Sequence, residues 1–90
     1  MNVLAPTGVI GPSEAAELKR ALLELCSNER PLIHVDLRRV EELHLSGANS
    51  ILRAAVEANR RRGTLTVTTA ATGSVRSTLA RSGLYSRLEP

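Results

Sequence analysis

Two short runs of β-forming residues, Leu32-Ile33-His34-Val35-Asp36-Leu37 and Thr64 to Thr69, flank a segment whose apolar residues recur at helical spacing. No other feature of the chain limits its folding so tightly. The first run is rich in apolar and β-branched residues and follows the turn-like Asn28 to Pro31, which suits a central strand. Ile33, Val35 and Leu37 share one of its faces, and Leu32, His34 and Asp36 the other. The second run alternates threonine with Leu65 and Val67. Between them, Ser46 to about Arg61 places Ala48, Ile51, Leu52, Ala55 and Val56 on one stripe, with Arg53, Glu57 and Arg60 outside. Strand, helix and strand in this order imply a right-handed crossover between parallel neighbours.

The flanking segments extend the alternation. Asn2 to Ile10 mixes Val3, Leu4, Val9 and Ile10 with Pro6 and Gly8, and reads as one or two short strands at a sheet edge. Gly11-Pro12-Ser13 opens a helix expected over 13–27, with Ser13 as N-cap, Glu14 and Glu17 near the positive dipole end, and Ala15, Leu18, Leu22 and Leu25 facing the sheet. Arg38 to Leu43 reads as a connector whose Val40 and Leu43 return to the core. Arg60-Arg61-Arg62 sits at the end of the second helix, where positive charge is favourable, and Gly63 is expected to close it in a left-handed conformation. A last helix is expected over 74–82, with Gly83 as terminator. The pattern predicts one α/β domain over residues 1–90, a mixed or mostly parallel sheet packed by helices.

Composition narrows the function. Tyr85 is the sole aromatic residue, so the core is built from Leu, Val, Ile and Ala, and base-stacking platforms for single-stranded nucleic acid are absent. The net charge of +3 arises from eleven Arg and one Lys against nine acids, too weak a bias to indicate nucleic acid. A basic surface at Arg60 to Arg62 with Arg76 or Arg81 is the lesser alternative. No run is long enough to span a bilayer and no signal-peptide order opens the chain, which reads as cytoplasmic without membrane insertion.

The chemistry of a catalytic or metal site is not legible. Cys26, the single cysteine, lies in a Leu-rich helical stretch and reads as a small buried hydrophobe. His34 and His44 lack a companion ligand pattern, so neither metal nor cofactor is expected. Asp36, the only Asp, has no second carboxylate at motif spacing, and Gly8 and Gly11 are too sparse to cradle phosphates. No catalytic residue is assigned.

The segment Val35-Asp36-Leu37-Arg38-Arg39-Val40, followed by His44-Leu45-Ser46-Gly47 and an Ala/Leu-rich helix, resembles the signature region of STAS domains, the family of bacterial anti-sigma factor antagonists. Arg62 to Val67 is similar to the family's next strand, and Val75 to Leu84 to its closing helix and Gly-Leu. The resemblance covers about Gly8 to Leu88. The resemblance implies that the family's usual opening strand pair is shortened at this N-terminus.

That resemblance implies a protein-interaction module acting in signalling and transcription regulation. Its loop His44-Leu45-Ser46-Gly47, with Arg53 and Glu57 on the exposed side of the second helix, would bind an anti-sigma factor or a related regulatory kinase. In the antagonists the Ser or Thr after the loop Asp is phosphorylated, which releases the partner. Aligning Gly47 with the family glycine puts His44 at the Asp and Leu45 at the phosphoacceptor, and leucine cannot accept phosphate. Leu45 shares a helical stripe with Ala48 and Leu52 and is expected to extend the core, and Ser46 to N-cap the second helix. A scaffold or transporter-associated regulatory subunit is the alternative role, and self-association into a homo-oligomer is compatible with either.

Overall fold

The computed structural model describes residues 1–70 and 73–83. Its elements are β1 (Asn2–Leu4), β2 (Gly8–Ile10), α1 (Pro12–Leu25), β3 (Leu32–Asp36), β4 (Val40–Leu43), α2 (Leu45–Arg60), β5 (Thr64–Thr68) and α3 (Ser74–Ser82). β3 is central in a parallel sheet ordered β1-β3-β5, and β2 pairs with β4, also in parallel. Every strand pair being parallel, the chain shows the α/β class its alternation predicts.

The N-terminal residues contribute two strands, and the supposed connector at Arg38 to Leu43 contributes β4. β1 and β2 run beside β3 and β4 almost as one bent ribbon. Asn2 stands opposite Ile33 and Ile10 opposite Leu43, and the bend is bridged where Gly8 N donates to Arg39 O at 3.1 Å. Val40-Glu41-Glu42-Leu43 is short and carries two adjacent acids, so no alternation of polar and apolar residues marks it as a strand. Val40 and Leu43 are nonetheless buried, as expected.

Alternation in β3 and β5 sets the core. Ile33, Val35, Leu65 and Val67 are buried on the helix-covered face together with Leu37, while Leu32 and Thr64 stand exposed on the other. There His34 bridges the two strands, with Nδ1 2.7 Å from Thr66 Oγ1 and Nε2 3.0 Å from Thr68 Oγ1. Its polar capacity is consumed within the sheet.

α1 begins one residue earlier than the pattern implied. Gly11 is the N-cap and Pro12 takes the first helical position, where its fixed φ and missing N–H carry no penalty. Ser13 is therefore inside the helix. Glu14 Oε1 accepts from Gly11 N at 3.0 Å, in place of the cap that Gly11 cannot provide. Ala15, Leu18, Leu22 and Cys26 are buried; burial pushes the Cys26 thiol up, and Sγ lies 3.5 Å from Ala54 O as a donor.

α2 is turned relative to the expected stripe. Gly47, Ala48, Ser50, Ile51, Ala54, Ala55 and Ala58 are buried, whereas Val56 is 50% exposed and Leu52 only half-buried. The small side chains let α2 approach α1 closely, and Ser50 Oγ reaches Ala15 O at 3.2 Å. Bulk drew attention to Leu52 and Val56; closeness of approach decided which face is inside.

The end of α2 also differs from expectation. Arg62, not Gly63, takes the left-handed conformation (φ 63°), while Arg62 N donates to Asn59 O and Gly63 N to Ala58 O, the double bond pattern of a Schellman closure. Gly63 is required for another reason, because a Cβ there would collide with the backbone of Pro31. α3 matches its expected bounds, and Gly83 closes it at φ 89°. Leu84 of the expected closing Gly-Leu, and Tyr85, lie outside the described residues.

Candidate docking site at the start of the second helix

The segment His44 to Gly47, expected as a loop, lies where β4 turns directly into α2: His44 alone links the two elements, and Leu45, Ser46 and Gly47 already belong to the first turn of the helix. His44 is the N-cap, in place of Ser46: its backbone is extended and its Nδ1 lies 3.1 Å from Ser46 N. An amide can only donate, so Nδ1 accepts and the neutral ring carries its proton on Nε2. The Ser46 hydroxyl, 2.7 Å away, donates to the same nitrogen. His44 N donates to Ile10 O at 2.8 Å, which pins the loop to β2.

Gly47 is buried where a side chain has no room. A Cβ there would stand 2.7 Å from Leu43 Cδ1 and 3.1 Å from Ile10 Cγ2, so the first turn of α2 rests directly on β2 and β4. Leu45 points outward instead. It is 43% exposed and does not extend the core, because the start of the helix at position 45 places it ahead of the buried face. Farther along the exposed flank come Asn49, Leu52, Arg53 and Val56. With Leu45, Leu52 and Val56 form an apolar strip at helical spacing, bordered by Arg53.

Arg53 and Glu57 differ in freedom. Arg53 is exposed, while Glu57 is 26% exposed and clasped by Arg60 at 3.1 Å and Arg61 at 2.8 Å. Hydrogen bonding from Arg61, with Arg60 and Arg61 close by, holds the Glu57 carboxyl below its ordinary value. The geometry thus groups His44, Leu45, Ser46 and Gly47, sets Arg53 two turns on, and leaves Glu57 at the far end of the helix.

One surface feature beside the loop escaped the sequence reading. Val9 is 52% exposed and lines two hollows, one of about 360 Å³ reaching His44 and the start of α3 at Ser74, the other of about 290 Å³ bounded by Pro6, Glu14 and Leu18. Its only signal was an apolar residue beside Gly8 in a short edge strand. Among the described residues no group of three or more His, Cys, Asp and Glu side chains is placed to hold a metal. No described helix is long and apolar enough to cross a membrane.

Asp36 sets the path into this region. Its carboxylate takes Arg38 in a fork, with Nε 3.0 Å from Oδ1 and Nη2 2.9 Å from Oδ2, and accepts from Arg38 N at 3.0 Å. This closes the bend between β3 and β4 and drives the Asp36 pKa well below the usual carboxylate range, first through the Arg38 side chain and then through its backbone N–H.

A family model described as "Mlab, STAS domain" matches residues 2–89. The chain belongs to the STAS domain family. Among solved structures, the anti-sigma factor antagonist SpoIIAA in its unphosphorylated form matches this STAS chain with a TM-score of 0.82 at 16% identity, over 97% of this chain and 76% of the other. The STAS domain of a SulP transporter from Vibrio cholerae matches with a TM-score of 0.66 at 17% identity, over 99% and 72%. Identities this low establish the shared fold. A comparison with curated proteins returned no match.

Proposed function

We propose that this STAS domain is a protein-interaction module that docks an anti-sigma factor or related regulatory kinase without phosphorylation at the usual site. The contact surface is the loop His44 to Gly47 with the exposed flank of α2. The observation that carries this reading is the outward Leu45, continued along the helix by Leu52 and Val56; the resemblance assigns position 45 to the phosphoacceptor. An apolar strip bordered by a charged residue is the composition of an interface centre and rim. It would bind a partner in the state that other antagonists reach only when unphosphorylated. No step calls for a cofactor or a catalytic residue.

The match to a SulP transporter STAS domain favours a second reading, a regulatory subunit of a transporter using the same surface. Affinity capture with the purified chain, read by mass spectrometry, separates the two. A histidine-kinase-like ATPase that binds wild type and loses affinity with Leu45→Asp supports the first reading. Transporter subunits recovered with the same sensitivity support the second, and a partner indifferent to both Leu45→Asp and Arg53→Glu refutes this docking face.

A further inference from the structure

At the opposite end of α2, about 22 Å from Leu45 by helix rise, Ser27, Glu29, Arg30, Arg60, Arg61 and Arg62 line a hollow of about 340 Å³. Two of these arginines have the only positive φ angles of non-glycine residues in the described chain, 52° at Arg30 and 63° at Arg62. Glycine or asparagine adopts that conformation at less cost than a long side chain does. Turn geometry therefore does not account for arginine at either place. The backbones are coupled, since Arg30 N donates to Arg61 O at 3.2 Å, so both side chains leave one rigid junction between the two helix ends.

The four guanidinium groups have distinct tasks. Arg60 and Arg61 are held by Glu57, and Arg61 Nη1 also reaches Ser27 O at 3.4 Å. Arg30 and Arg62 have no side-chain hydrogen bond or ion pair among the described residues. Against Glu29 and Glu57, four arginines leave an excess of two positive charges in the hollow. Ala58 O and Asn59 O, which would repel an anion, are turned to the Schellman closure.

The geometry points to a binding site for a phosphate group in this hollow, held by the free guanidinium forks of Arg30 and Arg62. A dianionic phosphate matches the local charge excess, and its tetrahedral oxygens suit two planar forks better than a single carboxylate does. The phosphate belongs either to a small phosphorylated molecule or to a lipid headgroup. The site stands apart from the loop at His44, and its test does not depend on the docking partner.

The test compares the wild-type chain with Arg30→Gly, Arg62→Gly and the double variant. Calorimetric titration with inorganic pyrophosphate and sedimentation with phosphatidic acid or phosphatidylcholine vesicles distinguish the two sources. Binding to pyrophosphate identifies a soluble ligand; binding to phosphatidic acid vesicles alone identifies a headgroup. Each glycine variant should weaken that binding at least about tenfold, the loss of a charge-assisted hydrogen bond, while its melting temperature stays equal or rises. Should a glycine variant melt lower, Arg30→Asn and Arg62→Asn, which also tolerate positive φ, make the same comparison. Absence of binding to both probes, unchanged affinity in variants that fold, or far tighter arginine-dependent binding of a single-stranded oligonucleotide overturns the proposal.

Discussion

His44 Nδ1 lies 3.1 Å from the backbone nitrogen of Ser46 and 2.7 Å from its hydroxyl, so one imidazole nitrogen holds the first turn of α2. Replacing His44 with alanine leaves that amide without its acceptor and should cost about 1 kcal/mol of stability. His44→Asp restores an acceptor and adds negative charge at the positive end of the helix, so it should recover the loss. Urea denaturation of the three proteins checks this through the transition midpoint at constant slope.

Gly63 and Arg62 should respond to substitution in opposite ways. A methyl at position 63 meets the Pro31 backbone, which cannot swing aside as a side chain can. Gly63→Ala should therefore lower stability by about 1–3 kcal/mol. Arg62→Gly relieves a left-handed arginine and should not lower the melting temperature. Thermal denaturation by circular dichroism compares them; the reverse order would contradict the assigned helix closure.

The contrast between these neighbours shows where sequence patterning runs out. Arg62-Gly63 announces the end of a helix, but the left-handed residue is Arg62, and Gly63 is required by the approach of Pro31. The strands β3 and β5 were legible because Ile33, Val35, Leu65 and Val67 alternate on a buried face. β4 was not, because its two adjacent acids are both exposed, which breaks the alternation, and its pairing with β2 is a long-range property. At the candidate site, the resemblance pointed to the segment around Gly47, but not to His44 as the single residue between β4 and α2. The outward turn of Leu45 was not, since it depends on the helix beginning at residue 45 with His44 as cap.

Acid should weaken the bend between β3 and β4. Arg38 lowers the Asp36 pKa in the folded chain, so the fork contributes stability fully above the unfolded carboxylate's value of about 3.9, and that contribution is lost as pH falls toward the folded value. Asp36→Asn abolishes the charge at every pH. The stability gap between wild type and Asp36→Asn should be constant from pH 7 to about pH 5 and shrink below about pH 4. Denaturant titrations across that range measure the gap, and one that widened in acid would contradict the sign.

Phosphorylation control should be missing from this domain. Leu45 stands at the position where the antagonist resemblance puts the acceptor, and it has no hydroxyl. Two serines nearby could substitute only if a kinase reached them. Ser50 is 7% exposed and its hydroxyl is spent on Ala15 O and Ser46 O, so reaching it requires lifting α2 from α1. Ser46 is nearer the surface, but its hydroxyl is engaged by His44 Nδ1, and phosphorylation would break part of the cap. Incubated with ATP and an anti-sigma kinase that phosphorylates other STAS domains, wild type should show no added phosphate by intact-mass spectrometry. Leu45→Ser should gain one, because an exposed hydroxyl at the first helical position presents its new charge to the free amides and positive dipole of α2. A phosphate mapped to Ser46 or Ser50 of the wild-type chain would show that control persists through a shifted site and would sink the prediction.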